Sequence, residues 1–185
     1  IDRFVIWLLG NVPRFEQSAF RELGLHDAVL RLLDSGADEA RVYAAEYART
    51  HARDLSLGRL ILLANNSNAA VRKLAGDLLS ARDPRKEIGL DAWGRLLGTQ
   101  HGHDLAATAL RKHFGARELT PDWFLALFLD SRDKVVDFAA ELLPKVHTAK
   151  ALGADYFRRL LDAPDIGHRA TRFALKSASG YPVSD

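Results

Sequence analysis

The stretch Asp91-Ala-Trp-Gly-Arg-Leu-Leu97 decides the fold of this chain, because copies of it recur at nearly even intervals. Asp27-Ala-Val-Leu-Arg-Leu-Leu33 and Asp155-Tyr-Phe-Arg-Arg-Leu-Leu161 keep the leading Asp and the closing Leu pair. Two looser copies begin at Leu57 and Asp122. The five starts are separated by 30, 34, 31 and 33 residues, which is the period of repeat units that contain two helices.

Each copy is followed, after a short polar gap, by a second stretch in which apolar residues recur at helical spacing. In one of them Val71, Leu74, Ala75 and Leu78 are three or four positions apart and would share one face of a helix. Strand-type alternation is not found over any useful length. The sequence therefore predicts an all-α fold of five helix pairs, each with a first helix A and a second helix B. The predicted B helices cover residues 38–51, 68–81, 104–114, 133–146 and 165–178.

Capping signals support these boundaries. Thr120-Pro121-Asp122 predicts a helix start, since Thr caps the first turn, Pro fits the first helical position and an acid suits the helix dipole. Ser56 precedes the second copy and is another good N-cap. Four polar residues stand where the caps of the B helices are expected: Asp38, Asn68, Asp104 and Asp165.

The two ends of the chain do not follow the repeat. Residues 1–26 contain an apolar helix at about 3–9 and a second helix at about 14–23, which we interpret as a degenerate or truncated leading unit. Residues 27–178 form the five-repeat region, and residues 179–185 are expected to be a flexible tail. The chain contains no Met and opens directly into an apolar stretch, so we expect a fragment of a larger protein.

Two of the B stretches resemble the second helix of HEAT repeats. These are Ala70-Val-Arg-Lys-Leu-Ala-Gly-Asp-Leu-Leu79 and Asp38-Glu-Ala-Arg-Val-Tyr-Ala-Ala-Glu-Tyr-Ala48. The loose pattern of that family is an acid or Asn, a Val-Arg pair, spaced alanines and then leucines. The resemblance covers residues 27–178 and implies an α-α superhelix, a right-handed solenoid of about five HEAT-like helix pairs. The third and fourth copies have Ala106-Ala107 and Val135-Val136 in place of Val-Arg, so no continuous ladder of arginines is expected.

Composition excludes several classes of protein. The 185 residues include no Cys, so disulfides, thiolate catalysis and Cys-based metal sites are excluded. Net charge is only +2 and both signs are spread evenly along the chain, whereas nucleic-acid binders usually carry a basic block. The apolar run at residues 4–9 is too short to cross a bilayer. We expect a cytoplasmic protein without membrane contact, and its Arg and Ala content fits a GC-rich bacterial gene.

The string His101-Gly-His103-Asp104 most resembles a site, because His-x-His pairs can place two imidazoles on one metal ion. It lies in a turn between helices, however, and Asp104 is already assigned as a cap, so we expect an ordinary turn and no bound metal. No glycine-rich phosphate loop and no catalytic grouping is found in the sequence. The sequence therefore predicts neither a catalytic residue nor a cofactor.

The aromatic residues of the A helices are expected to pack between neighbouring units. Trp93 and Trp123 occupy the apolar phase of A helices in successive copies. Phe124, Tyr156 and Phe157 occupy the same kind of position. We therefore expect these rings to belong to the core and not to stack on nucleic-acid bases.

Basic residues on the B helices are the candidates for partner binding, because B helices usually line the concave binding face of a helical solenoid. These candidates are Arg41, Arg72, Lys73, Arg111, Lys112, Lys134, Arg169 and Arg172. Acidic residues on the same helices are expected to pair with some of them. The first hypothesis is a HEAT-like scaffold that binds a protein partner within a larger protein.

Two alternatives remain open at this point. One is a HEAT-like domain that binds nucleic acid with a basic concave face, which would show as binding that weakens steeply with salt. The other is a HEAT-like lyase or modifying enzyme, which would need a deep pocket with buried titratable groups. The sequence does not predict the oligomeric state.

Overall fold

The computed structural model describes residues 2–11, 16–164 and 166–178, and within these ranges the chain forms helices and turns without any strand. The prediction of an all-α fold is confirmed. The α-helices of the described chain are α1 (Asp2–Asn11), α2 (His26–Arg31), α3 (Asp38–His51), α4 (Leu57–Ala64), α5 (Ala69–Ser80), α6 (Leu90–Leu97), α7 (His103–His113), α8 (Pro121–Phe128), α9 (Asp133–Val146), α10 (Ala149–Leu161) and α11 (His168–Ala178).

The even-numbered helices from α2 to α10 begin close to the predicted A helices, and the odd-numbered helices from α3 to α11 match the predicted B helices within a few residues. The largest difference is at α10, which begins at Ala149 and is interrupted at Gly153, where φ is +75°. Gly adopts this left-handed backbone at little cost, so the helix can be interrupted at this residue. The interruption lies just before Asp155, the predicted start of this A helix. We call α2–α3, α4–α5, α6–α7, α8–α9 and α10–α11 units one to five.

Three of the predicted caps are confirmed. The Asn68 side chain accepts hydrogen bonds from the backbone N–H groups of Ala70 and Val71, at 2.9 and 3.3 Å. Ser56 and Thr120 cap α4 and α8 in the same way. Each cap satisfies backbone donors that have no partner inside the helix, which fixes the residue at which that helix begins.

Two predicted caps are wrong, and one lies outside the described residues. Asp38 and Asp104 are inside the first turns of α3 and α7, which follow Ala37 and Gly102. An acid in the first turn is favoured by the helix dipole as well as at the cap, so the residue type alone did not separate the two positions. Asp165 is not among the described residues, and neither is the predicted tail at 179–185.

The leading segment contains one of the two predicted helices. Helix α1 confirms the first, whereas the second is wrong over residues 16–23, where the chain makes only a short 3-10 turn at Gln17–Ala19. The Phe20 carbonyl accepts the N–H of Leu25 at 2.8 Å, and Gly24 has a φ of +68°. A left-handed Gly followed by this hydrogen bond stops any helical turn at residue 24.

Within each unit the A helix packs along its B helix, and several like helices of neighbouring units also pack together. Helix α3 packs closely along α5, α9 along α11, α4 against α6 and α8 against α10. Helix α7 differs, because its backbone makes few close approaches to either α5 or α9. Helix α1 lies against α3 at the start of the series.

The core runs continuously through the units and is made of Leu, Ala and aromatic side chains. Trp93, Phe124, Tyr156 and Phe157 are buried, which confirms that these rings pack inside. Trp123 is half-buried, with its ring edge-on to that of Phe124. Removing such side chains from water contributes about 1.5–3 kcal/mol each, so core burial is the main force that holds the helix pairs together.

Candidate binding surface

All eight candidate basic residues lie on B helices, but four of them are used to join neighbouring segments of the chain. Arg41 on α3 pairs with Asp38 at 2.5 Å and donates to the Ser67 hydroxyl at 3.2 Å, just before α5. Arg72 on α5 donates to the backbone carbonyls of Asn66 and Ser67 at 2.8 and 2.7 Å. Both side chains therefore stabilise the turn that leads into α5.

Two further arginines link B helices of successive units. Arg111 on α7 pairs with Glu141 on α9 at 2.8 Å, and its guanidinium lies 5.1 Å from the centre of the Phe138 ring. Arg169 on α11 contacts Asp137 on α9 at 2.7 Å and Asp133 at 3.2 Å. Hydrogen bonds from Lys145 and the nearby Arg111 charge hold the pKa of the Glu141 carboxyl below its usual value.

The other four candidates are exposed and have no ion partner in the described part of the chain: Lys73, Lys112, Lys134 and Arg172. They lie on four different helices, α5, α7, α9 and α11. Acidic residues occur among them, for example Asp77, Asp137 and Glu141. The structure thus gives separate exposed cations on a mixed-charge face, and their role in partner binding stays a prediction.

The sparse contact between α7 and its neighbours leaves a cleft on its α5 side, with a volume of about 210 Å³. We call it the α5–α7 cleft; its lining residues are Leu79, Ser80, Arg82, Pro84, Trp93, Leu105, Thr108, Ala109, Lys112 and His113. Most of the lining surface is apolar. Arg82, Lys112 and His113 supply the basic groups, and none of the described residues of this lining is acidic.

Trp93 is the aromatic residue of the α5–α7 cleft lining, and a hydrogen bond holds its ring in place. The ring is only 3% exposed, and its Nε1–H donates to the Pro84 carbonyl oxygen at 3.1 Å. Pro84 opens a single wide turn, Pro84–Ile88, that is capped by the Asp83 carboxylate through the N–H groups of Arg85 and Lys86. Those two N–H donors hold the pKa of Asp83 below its usual value. The cleft therefore has a rigid aromatic wall.

Two more cavities border α7 on its other side. One, of about 400 Å³, lies beside Arg111, Phe114, Leu142 and Lys145 near the ends of α7 and α9. The other, of about 410 Å³, lies near the start of α9 and includes Lys134. Cavities therefore lie on both sides of α7.

The string of histidines before α7 has a structural role. The His103 Nδ1 lies 2.7 Å from the Leu97 carbonyl oxygen, to which it can only donate, and so it closes the end of α6. The backbone N–H of His101 donates to the Asn65 side chain of unit two at 3.0 Å. No group of three potential metal ligands was found among the described residues.

An exposed apolar group on α1 was not assigned from the sequence. Phe4 and Trp7 are 64% and 57% exposed, and their rings lie 6.4 Å apart in a stacked arrangement. Val42 on α3 adds to this surface beside a shallow cavity that includes Glu39 and Glu46. Both rings belong to the apolar run of residues 4–9, which the sequence shows. Only the packing of α1 on α3 shows that these two side chains are exposed to solvent.

Comparisons of this chain with protein-family models, with curated proteins and with solved structures gave no match. Across the described helices, none combines the length and the apolar character needed to span a bilayer. The inference of function therefore depends on the geometry of the chain itself.

Proposed function

We propose that this chain is a HEAT-like helical-repeat scaffold that binds a protein partner as part of a larger protein. The observation that carries the proposal is the regular sequence distance between side chains that meet across units. Asn68 reaches back 30 residues to Asp38, Arg111 pairs 30 residues ahead with Glu141, and Arg169 bonds 32 residues back to Asp137. Each contact thus spans about one repeat.

Contacts of this kind are typical of repeat proteins, in which a unit contacts only its nearest neighbours. The A helices follow the same rule, since Arg59 pairs with Asp34 at 2.5 Å and Arg159 with Asp122 at 2.9 Å. A stack of this type presents a long continuous row of B helices. Extended surfaces of repeat proteins serve as binding faces, which supports a role in partner binding.

Nucleic-acid binding is the second candidate function. One observation favours it, namely that α5, α7, α9 and α11 each present an exposed cation that has no ion partner among the described residues. The ion pairs of Arg111 and Arg169 oppose it, because they place Glu141 and Asp137 on the same face. A binder that neutralises phosphates needs a surplus of positive charge, and the net charge of +2 is small. Protein binding is therefore the better supported function.

The solenoid part of the proposal can be tested by small-angle X-ray scattering. A compact globular domain of this length has a radius of gyration of about 16 Å. A stack of five helix pairs is longer than it is wide, so we expect a value several ångströms larger and a distance distribution with an extended tail. A value near that of the globular domain would contradict the solenoid.

The binding part can be tested by offering the immobilised chain a phage library of random peptides and, separately, fluorescent single- and double-stranded DNA. We expect related peptides to be enriched and to bind saturably, and the DNA to remain unbound at physiological salt. Enrichment of no peptide, together with DNA binding that falls steeply with salt, would replace the protein scaffold with the nucleic-acid alternative.

A further inference from the structure

We propose that the α5–α7 cleft is the docking site for an acidic linear segment of the partner protein. In this inference a large apolar side chain of the segment occupies the cleft, which is lined by the half-buried Leu105 and Ala109 and the buried Trp93, and a neighbouring carboxylate pairs with Lys112. It rests on the proposed scaffold function and adds the chemistry of the partner to it.

The size of the cleft selects a single apolar side chain as its occupant. Its volume is about 210 Å³. Engineered apolar cavities of roughly 150 Å³ accept benzene, whereas pockets for drug-sized ligands and cofactors begin at about 300 Å³. The cleft therefore suits one Leu, Phe or Trp side chain and is too small for a nucleotide cofactor.

The apolar wall of the cleft is preformed. Leu79 is 1% exposed and Trp93 is held by its hydrogen bond to Pro84, so neither side chain must be reordered on binding. Leu105 approaches α5 at Gly76, where an added Cβ would lie 3.9 Å from the Leu105 methyl group. Pockets with fixed walls bind more tightly because less conformational entropy is lost.

The charges around the cleft favour an anionic segment. Lys112 is exposed and has no partner among the residues that the structure describes. Arg82 is also in the lining, and its guanidinium donates to the Leu55 carbonyl and has no carboxylate partner among the described residues. The acids closest in sequence to these two cations have other contacts: Asp77 pairs with Arg49 at 4.0 Å, Asp83 caps the turn before α6, Glu87 accepts the Asp83 backbone N–H at 2.6 Å, and Glu118 pairs with Arg85 at 3.4 Å.

The cavity between α7 and α9 is a weaker candidate for the same segment. Its two cations, Arg111 and Lys145, both pair with Glu141 at 2.8 Å. That carboxylate compensates one of the two positive charges and already engages both cations, so they are less available to an acidic segment than Lys112 is. Basic residues in the last turn of α7 are favoured by the helix dipole, which accounts for their presence without any partner. The dipole does not account for the apolar cleft that Lys112 lines.

Selection from a random-peptide phage library tests the inference on the intact chain and three variants. Thr108→Trp fills the cleft from an exposed position on α7, and Lys112→Glu reverses the charge at its edge. Lys150→Glu is the matched control, since Lys150 is an exposed lysine on the A helix α10, outside the cleft lining and outside the candidate residues of the B helices. Thermal unfolding followed by circular dichroism establishes that each variant is folded.

On the unmodified chain we expect enrichment of peptides that combine Asp or Glu with a Leu, Phe or Trp. A synthetic peptide from this set should bind at least about tenfold more weakly to the Thr108→Trp variant, because its anchor is blocked. It should bind about tenfold more weakly to Lys112→Glu, because like charges meet at the edge of the cleft. Lys150→Glu should bind it as tightly as the unmodified chain does.

The outcomes separate the failure of this inference from the failure of the scaffold proposal. Enriched peptides that are basic, or that bind all folded variants equally, would overturn the cleft assignment and leave the scaffold function standing. DNA that binds the chain and is lost with Lys112→Glu would assign the cleft to nucleic acid instead. An unmodified chain that enriches no peptide at all would overturn both proposals.

Discussion

Replacing Leu110 with Ala tests whether α7 is anchored to the core even though it has an open cleft beside it. Leu110 is 0% exposed, so the change removes the equivalent of about three buried methylene groups, or about 2.4 kcal/mol of transfer free energy. The cavity left behind adds to this cost, and buried Leu→Ala changes typically total about 2.7–5 kcal/mol. We expect the free energy of unfolding to fall by about 3 kcal/mol.

The measurement is guanidinium unfolding followed by far-UV circular dichroism, with thermal unfolding in parallel. For a chain of this length, a loss of about 3 kcal/mol corresponds to a drop in Tm of roughly 6–12 °C. Leu62→Ala is the control, because Leu62 is 68% exposed on α4 and its removal should cost less than about 0.5 kcal/mol. If Leu110→Ala costs no more than Leu62→Ala, α7 is not packed as described.

Three further predictions concern single polar contacts. Asn68→Ala should lower the free energy of unfolding by about 1–2 kcal/mol in denaturant titrations, because Asn68 caps α5 and also donates to Asp38. Its control, Ser80→Ala at the other end of α5, should leave the free energy of unfolding nearly unchanged. Tyr47→Phe should cost about 1 kcal/mol in the same assay, since the buried Tyr47 hydroxyl lies 2.6 Å from the His26 Nδ1; an unchanged unfolding midpoint would show that this hydrogen bond adds nothing. Hydrogen bonds from Arg132 lower the pKa of Asp130 in the folded chain, so its stabilising effect is present above the unfolded pKa and is lost as pH falls through the folded pKa. The free energy of unfolding, measured from pH 5 downward, should therefore fall less steeply in Asp130→Asn than in the unmodified chain. An equal slope in both would refute this assignment. Asp91→Asn, which alters an exposed carboxylate of α6, serves as the control.

Most helices could be predicted because their signals are local. The apolar spacing of residues such as Val71, Leu74 and Ala75 depends only on the helical period, and the cap at Asn68 depends on backbone donors two and three residues away. The predicted helix at 14–23 was wrong over its described part, where the apolar pattern alone did not distinguish a short 3-10 turn from an α-helix.

The binding surface could be predicted only in part. The sequence placed eight basic residues on B helices, but it did not show that Arg111 and Arg169 face acids about one repeat away. Which cations remain unpaired is decided by the approach of two helices, a distance that no local pattern contains. The exposed rings of Phe4 and Trp7 were likewise not assigned in advance, since exposure depends on what packs against α1.

The repeat that begins with Asp91-Ala-Trp-Gly-Arg-Leu-Leu97 by itself determined the helical class, the pairing of helices and nearly all of their bounds. These properties follow from hydrophobic period and capping, both of which act within a few residues. Only the tertiary structure decided that Trp93 lines a cleft and that Lys112, in the same lining, has no ion partner within the described part of the chain. The physical reason is that a cleft is space left between α5 and α7, and such space exists only once helices distant in sequence have packed together.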